Sequence, residues 1–155
     1  MTLGYEKLST MTTAIRVLIA DDNARSRTGL RALLSTTRLI PSQAPGEDGP
    51  SEAWSQIEVV AEAADGREAV RRVEECKPEV VLMDVRMPVL DGLEATRLIK
   101  NKCPEIKIVM LTLYATCRAE ALAVGADAFL VKGCPNEELF AAILNKGEPQ
   151  PDPRC

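Results

Sequence analysis

The sequence predicts an α/β protein with a doubly wound, five-stranded parallel sheet, in which strands and helices alternate as (βα)5. Apolar runs rich in β-branched residues recur along the chain, and segments with helical spacing of apolar residues lie between them. Continuous apolar runs are typical of strands buried on both faces of a parallel sheet. Because the connections between such strands are right-handed, helices are expected on both faces of the sheet.

Five segments are predicted as strands because they are short, apolar and enriched in β-branched residues. The second and the fifth carry the weakest pattern. In chain order the predicted strands are Ile15–Ala20, Ile57–Ala61, Val80–Met83, Ile106–Leu111 and Ala128–Val131.

Five helices are predicted from apolar residues spaced three and four apart. The first three are marked by Leu30, Leu33 and Leu34, by Ala69, Val70, Val73 and Cys76, and by Ala95, Leu98 and Ile99. The fourth covers Arg118–Ala123, and Gly125 follows it where a left-handed cap is expected. The fifth begins near Pro135, because proline is favoured in the first turn of a helix.

The domain organisation follows from length and from the distribution of proline and glycine. A chain of 155 residues has room for one compact domain. We assign residues 14–146 to this domain and residues 1–13 and 147–155 to tails. The stretch 36–56 is rich in proline and glycine and is predicted as an inserted loop. We interpret it as a solvated loop; the alternative is a partner-docking segment that uses Leu39, Ile40 and Trp54.

Composition excludes several classes of protein and site. The net charge is −4 and no Lys/Arg-rich block occurs, so we expect no direct binding of nucleic acid. No apolar run is long enough to span a membrane, and the N-terminus lacks signal-peptide features, so a cytoplasmic location is expected. The chain has no histidine, and its five cysteines are scattered. Zinc sites, histidine-dependent catalysis and a disulfide framework are therefore not expected.

Five polar residues lie at the carboxyl ends of the predicted strands. Asp21 and Asp22 follow the first strand, Asp84 follows the third, Thr112 ends the fourth and Lys132 ends the fifth. Taken singly, each has an ordinary structural explanation as a helix cap, a strand residue or a solvated end. Together they are expected to converge on the edge where doubly wound sheets bind ligands.

This group of residues indicates a particular chemistry. Three gathered carboxylates repel one another by about 1 kcal/mol per pair in water, and by more where they are buried. A hard divalent cation with oxygen ligands, such as Mg²⁺, compensates this repulsion. One carboxylate can then act as a nucleophile toward a phosphoryl donor, and the lysine and the threonine hydroxyl can stabilise the transferred oxygens.

The sequence resembles the receiver domain of two-component response regulators, of the kind often fused to a helix-turn-helix domain. The resemblance runs from about Ile15 to Leu144 and lies in an acidic pair after strand one, the stretch DVRMPVLDG, a threonine ending strand four and a lysine ending strand five. It implies the flavodoxin-like strand order 2-1-3-4-5. No helix-turn-helix sequence follows Leu144, so we expect either a stand-alone receiver or a part of a longer regulator.

The resemblance also implies a role for each residue of the site. Asp84 would accept the phosphoryl group and, with Asp22 and the backbone carbonyl of Arg86, bind Mg²⁺ directly. Asp21 would contribute through a water molecule. Thr112 and Lys132 would contact the phosphoryl group, and Phe129 would turn inward as Thr112 moves. The list of implied metal and phosphoryl contacts is thus Asp21, Asp22, Asp84, Arg86, Thr112 and Lys132.

The partners are likewise implied by the resemblance. The phosphoryl donor would be a histidine kinase or a phosphotransfer protein. The phosphorylated domain would then act on an unknown downstream protein. The output surface would be the face made by the fourth helix, the fifth strand and the fifth helix, and a homodimer is possible. Such a module is a phosphoacceptor rather than an enzyme.

Three features depart from the family pattern. Gly133 follows Lys132 where proline is frequent, so no cis peptide is expected there. The segment from Thr112 to Lys132 is slightly short, which predicts a trimmed fourth helix and preceding loop. Leu113 is bulky and is expected to narrow access to Asp84.

Two other functions remain open on the residues. A Mg²⁺-dependent phosphohydrolase would use the same aspartyl phosphate, but it usually has a second carboxylate where Arg86 stands. A receiver-like interaction module that no longer uses phosphorylation would agree with the trimmed fourth helix and the inserted loop.

Overall fold

The described part of the chain comprises residues 14–36 and 56–144 of a computed structural model. The predicted tails and the loop residues Leu39, Ile40 and Trp54 lie outside it. In chain order the elements are β1 (Ala14–Ala20), α1 (Ala24–Thr36), β2 (Gln56–Ala63), α2 (Gly66–Cys76), β3 (Val80–Met83), α3 (Gly92–Lys102), β4 (Lys107–Thr112), a 3-10 turn (Ala115–Cys117), α4 (Arg118–Ala123), β5 (Ala128–Val131) and α5 (Asn136–Leu144).

The strands form one parallel sheet in the order β2-β1-β3-β4-β5, which confirms the predicted fold class and strand order. Thr36 ends α1 and Gln56 begins β2, and the rest of the predicted loop, residues 37–55, lies outside the described part of the chain. β2 is also longer than predicted. It is an edge strand, and its exposed Glu58 and half-exposed Glu62 interrupt the apolar run from which strands are predicted.

The core consists of two apolar clusters, one on each face of the sheet. Alternate residues of β1, such as Leu18 and Ile19, are fully buried in opposite clusters. One cluster packs the sheet against α2, α3 and α4, and the other packs it against α1 and α5. Because both faces are covered, the buried residues of strands β1, β3 and β4 are apolar, except for Thr112 at the end of β4. Within the described residues, no helix is long and apolar enough to span a membrane.

Candidate functional site

Three carboxylates gather at the carboxyl edge of the sheet, as the order of strands requires. Asp21 and Asp22 follow β1, and Asp84 follows the neighbouring strand β3. Oxygen atoms from the three side chains all lie within 4.8 Å of one another. Asp21 and Asp84 are buried, with 2% and 8% of their surface exposed, whereas Asp22 is exposed. The predicted acidic cluster is therefore present.

The backbone around the two buried aspartates continues the hydrogen bonding of the sheet. The amide of Asp84 donates to the carbonyl of Ala20 at 2.9 Å, and the amide of Asp21 donates to the carbonyl of Ala63 at 3.0 Å. The amide of Asn23 donates to Oδ1 of Asp21 at 2.9 Å. These bonds fix both carboxylates on the rigid end of the sheet rather than on a free loop.

The loop after Asp84 is closed by a tight contact at Gly92. The amide of Gly92 donates to the carbonyl of Val85 at 2.7 Å. A Cβ atom at this position would lie 1.8 Å from the carbonyl oxygen of Asp84, so only glycine fits. The preceding Asp91 caps α3 by accepting a hydrogen bond from the amide of Glu94 at 2.8 Å. The two residues thus fasten the start of α3 against the aspartate.

Lys132, at the end of β5, contacts the carboxylates of Asp21 and Asp84. Its Nζ atom lies 2.6 Å from Oδ2 of Asp21 and 3.0 Å from Oδ2 of Asp84. The lysine occupies a turn in which the amide of Cys134 donates to the carbonyl of Val131 at 3.0 Å. The third residue of this turn, Gly133, has a φ of 93°, which glycine adopts without strain. As expected, no cis peptide occurs in the described residues.

The electrostatics of the cluster are unbalanced, because one ammonium group serves two buried carboxylates. Burial raises the pKa of Asp84 above its ordinary value, and the negative charge of Asp21 adds to the increase. Hydrogen bonding and attraction from Lys132 oppose the increase without cancelling it. Burial lowers the pKa of Lys132, but its hydrogen bonds to Asp21 and Asp84 outweigh burial and leave that pKa raised. A hard divalent cation with oxygen ligands, such as Mg²⁺, fits this donor set.

Thr112 and Phe129 occupy the positions that the sequence predicts for them. Thr112 is fully buried at the end of β4, and its hydroxyl lowers the pKa of Asp84 through a hydrogen bond. Its Oγ1 atom also accepts a hydrogen bond from the amide of Tyr114 at 3.3 Å. Phe129 is half-buried in β5 opposite Met110 and packs against the core on the face of α2, α3 and α4.

Two features of the rim were not predicted from the sequence. Leu113, expected to narrow access to Asp84, is 67% exposed, and Tyr114 instead stacks on Arg86. The one signal in the sequence is equal spacing, because Arg86 stands two residues after Asp84 and Tyr114 two residues after Thr112. It indicates a contact only when β3 and β4 are known to be neighbours. The second feature is Val89, which has a φ of 69° and is 72% exposed.

Comparison with known proteins identifies relatives of this chain. A family model described as the response regulator receiver domain matches residues 52–144. The transcriptional regulatory protein LnrK of Bacillus subtilis (strain 168) is 33% identical over 132 residues, which cover 84% of this chain and 52% of that protein. The response regulator VraR of Staphylococcus aureus (strain NCTC 8325) is 35% identical over 138 residues, which cover 86% and 58%. The chain therefore spans little more than half the length of these relatives.

Solved structures show the same similarity. A LuxR-family two-component response regulator from Aurantimonas sp. SI85-9A1 superposes with a TM-score of 0.68 at 30% identity, covering 84% of this chain and 83% of that one. The response regulator domain of Thermotoga maritima CheB superposes with a TM-score of 0.64 at 34% identity, covering 84% and 93%. These matches agree with the resemblance found in the sequence motifs.

Proposed function

Because the chain belongs to the response regulator receiver domain family, and is thus a signalling phosphoacceptor rather than a catalytic enzyme, we propose that Asp84 accepts a phosphoryl group. The observation that carries the proposal is the cluster itself. Three carboxylates gather at the carboxyl edge of the sheet, and the two that are buried, Asp21 and Asp84, share a single lysine. A fold gains nothing in stability from such an excess of buried negative charge, so a ligand is expected to compensate it.

Mg²⁺ is the cation proposed for this site. Asp22, Asp84 and the backbone carbonyl of Arg86 would bind it directly, and Asp21 would do so through a water molecule. When bound, the cation would screen the carboxylates from each other and from the phosphoryl oxygens. The exposure of Asp22 supports this assignment, because an accessible carboxylate can exchange water for metal without unfolding the site.

The transfer itself would be carried by three side chains. A carboxylate oxygen of Asp84 forms the bond to phosphorus while the bond from phosphorus to the donor atom breaks. Lys132 and the Thr112 hydroxyl donate hydrogen bonds to the remaining phosphoryl oxygens. Both groups already interact with Asp84, so short movements would suffice.

Phosphorylation of Asp84 would also change the conformation of the chain around Thr112 and Phe129. The added group of about −2 charge would draw Thr112 toward it, and Phe129 would turn inward into the space beside β4. The output surface would be the face of α4, β5 and α5, where Leu122 and Val131 are 45% and 40% exposed. A downstream protein, or a second copy of the chain in a homodimer, would bind there.

The proposed donor is a histidine kinase or a phosphotransfer protein. The chain contains no histidine, so the donor's phosphohistidine cannot come from within it. We further propose that residues 14–146 form the receiver domain, that the chain is cytoplasmic and that it makes no direct contact with nucleic acid.

Phosphorylation by a small donor tests the proposal without the kinase. The chain is incubated with Mg²⁺ and acetyl phosphate, and the mass of the intact protein is measured. We expect the gain of one phosphoryl group, which Asp84→Asn abolishes and removal of Mg²⁺ prevents. Asp91→Asn is the matched control, because asparagine caps a helix as well as aspartate and should leave the gain intact.

Two results would contradict the proposal. The first is an equal gain in mass for the native chain and Asp84→Asn. The second is no gain under any Mg²⁺ and donor concentration, which would favour an interaction module that works without phosphorylation.

A further inference from the structure

Arg27 connects the first helix to the acidic loop, which is formed by residues 21–23 after β1. It lies in α1, and its side chain is 19% exposed. Its Nη1 atom donates a hydrogen bond to the backbone carbonyl of Asp21 at 2.6 Å, and its Nε atom lies 3.4 Å from Oε1 of Glu62. Two nitrogen atoms of one planar guanidinium therefore connect the acidic loop to the edge strand β2.

The carbonyl that Arg27 holds belongs to the peptide bond between Asp21 and Asp22. Because a peptide unit is planar, this carbonyl lies in one plane with the amide nitrogen and the Cα atom of Asp22. The amide of Asp21 donates to the carbonyl of Ala63 at 3.0 Å, so the backbone of Asp21 is bonded on both sides. The side chain of Asp22 is exposed. Its position therefore depends on the backbone that Arg27 holds rather than on packing.

The acidic loop and the first turn of α1 are joined by further hydrogen bonds. The amide of Asn23 donates to Oδ1 of Asp21 at 2.9 Å. Oδ1 of Asn23 in turn accepts the amides of Arg25 and Ser26, at 2.9 and 3.1 Å. The amide of Arg27 donates to the carbonyl of Asn23 at 3.1 Å. Arg27 thus bonds to the acidic loop through both its backbone and its side chain.

A neighbouring arginine shows which of these contacts is particular to Arg27. Nη1 of Arg31 lies 2.7 Å from Oε2 of Glu62, so this carboxylate pairs with two guanidinium groups. Arg31 and Arg27 carry the same charge and share the same partner, but the hydrogen bond to the Asp21 carbonyl comes from Arg27. The side chain of Arg31 is 56% exposed, and an exposed ion pair contributes little to stability. Arg31 is therefore a matched control for the charge of Arg27.

We propose that Arg27 is a positioning residue that holds the acidic loop in the arrangement that binds a divalent cation. The inference rests on the proposed function, in which Asp22 binds Mg²⁺ directly and Asp21 binds it through water. Mg²⁺ requires a nearly ideal octahedral arrangement of its ligands, so a small displacement of the loop weakens binding. Residues that orient metal ligands affect affinity without touching the metal. Arg27 acts through the peptide bond between Asp21 and Asp22.

Hydrogen exchange of backbone amides tests this role without a cation. The native chain, Arg27→Gln and Arg31→Gln are compared in metal-free buffer by NMR. Arg27→Gln should exchange the Asn23 amide about tenfold faster, because the hydrogen bond from this amide to Asp21 opens more often when the loop is released. Arg31→Gln removes the same charge, leaves the Asp21 carbonyl bonded and should match the native rate. The amides of the buried strands β3 and β4 report global unfolding and serve as the reference.

Titration calorimetry with Mg²⁺ supplies the second readout. Arg27→Gln should bind Mg²⁺ about tenfold more weakly than the native chain, at the lower end of the effect of residues that orient metal ligands. Arg31→Gln should bind it as tightly as the native chain. Equal losses of affinity in the two variants would overturn the proposal, because charge rather than the bond to Asp21 would then be responsible. Unchanged affinity in Arg27→Gln, or weaker affinity without faster exchange at Asn23, would also overturn it.

The positioning role and the proposed function can fail separately. If the native chain binds no Mg²⁺ while Arg27→Gln still exchanges the Asn23 amide faster, Arg27 positions the loop and the proposed function fails. If the native chain binds Mg²⁺ and gains the phosphoryl group from acetyl phosphate, but Arg27→Gln changes neither exchange nor affinity, the positioning role fails and the proposed function stands.

Discussion

The two edges of the sheet hold their charged groups in different ways. At the amino edge, Lys100 and Asp127 form a pair at 2.6 Å, and Asp127 also accepts the backbone amide of Ile108 at 2.8 Å. At the carboxyl edge, Lys132 is shared between the buried carboxylates of Asp21 and Asp84. The charges of the first pair balance, whereas at the carboxyl edge one lysine faces two buried carboxylates and net negative charge remains.

The two edges also differ in the strain of their backbone. Each edge has one non-glycine residue with positive φ among the described residues. At the amino edge Lys77 has a φ of 46° and ends α2 as a left-handed cap whose amide bonds to Val73. At the carboxyl edge Val89 has a φ of 69°, in a turn where the amide of Leu90 donates to the carbonyl of Pro88 at 2.8 Å. This conformation is strained for a β-branched residue, and such strain concentrates at functional sites.

Replacing Lys132 at the carboxyl edge and Lys100 at the amino edge should produce the largest difference in stability between the two edges. Without Mg²⁺, Lys132→Met should lower the free energy of unfolding by about 3 kcal/mol, because two buried carboxylates lose their counter-charge. Lys100→Met should cost only about 1 kcal/mol, since Asp127 is 38% exposed and can be solvated. Urea denaturation measures both. Equal losses would show that the two edges are electrostatically alike.

Replacing Asp84 and Asp127 by asparagine should change the free energy of unfolding in opposite directions. In metal-free buffer, Asp84→Asn should raise the free energy of unfolding by about 1 kcal/mol, because it removes a carboxylate whose charged form is disfavoured by burial. Asp127→Asn should lower it by about 1 kcal/mol through the loss of the ion pair with Lys100. Thermal unfolding of the two variants checks the signs. If Asp84→Asn were instead destabilised, the charges of the buried carboxylates at the carboxyl edge would already be balanced by Lys132.

Substituting glycine at the two positive-φ positions, Val89 and Lys77, should change the free energy of unfolding by a smaller amount. Val89→Gly should stabilise the chain by about 0.5–1 kcal/mol, the strain relieved less the added freedom of the unfolded chain. Lys77→Gly should gain less, because an unbranched residue is less strained in this region. The denaturation midpoints of the two variants show which substitution stabilises the chain more. A larger gain for Lys77→Gly than for Val89→Gly would contradict the prediction.

The sequence predicts the parts of the molecule that depend on local pattern. Continuous apolar runs identify β1, β3 and β4, and the ends of these strands identify Asp21, Asp84 and Thr112. In a parallel sheet those ends meet at one edge, so the composition of the site follows from strand order.

The remainder depends on contacts that pattern does not encode. The extent of β2 is hidden because an edge strand mixes polar and apolar residues. The stacking of Arg86 on Tyr114 needs the equal spacing of two loops on adjacent strands, which is visible only once the strands are paired. The positive φ of Val89 belongs to the turn between Pro88 and Leu90, and Leu90 is bonded to a distant part of the chain. The carbonyl of Leu90 accepts the amide of Gly66 at 3.0 Å.

Chemical trapping can identify the residue that receives the phosphoryl group. The chain is incubated with Mg²⁺ and acetyl phosphate and reduced with borohydride, which converts an aspartyl phosphate into homoserine. Proteolysis and mass spectrometry then locate the product. We expect homoserine at Asp84 alone. Homoserine at Asp21 or Asp22, or none at any carboxylate when the phosphoryl group has been gained, would contradict it.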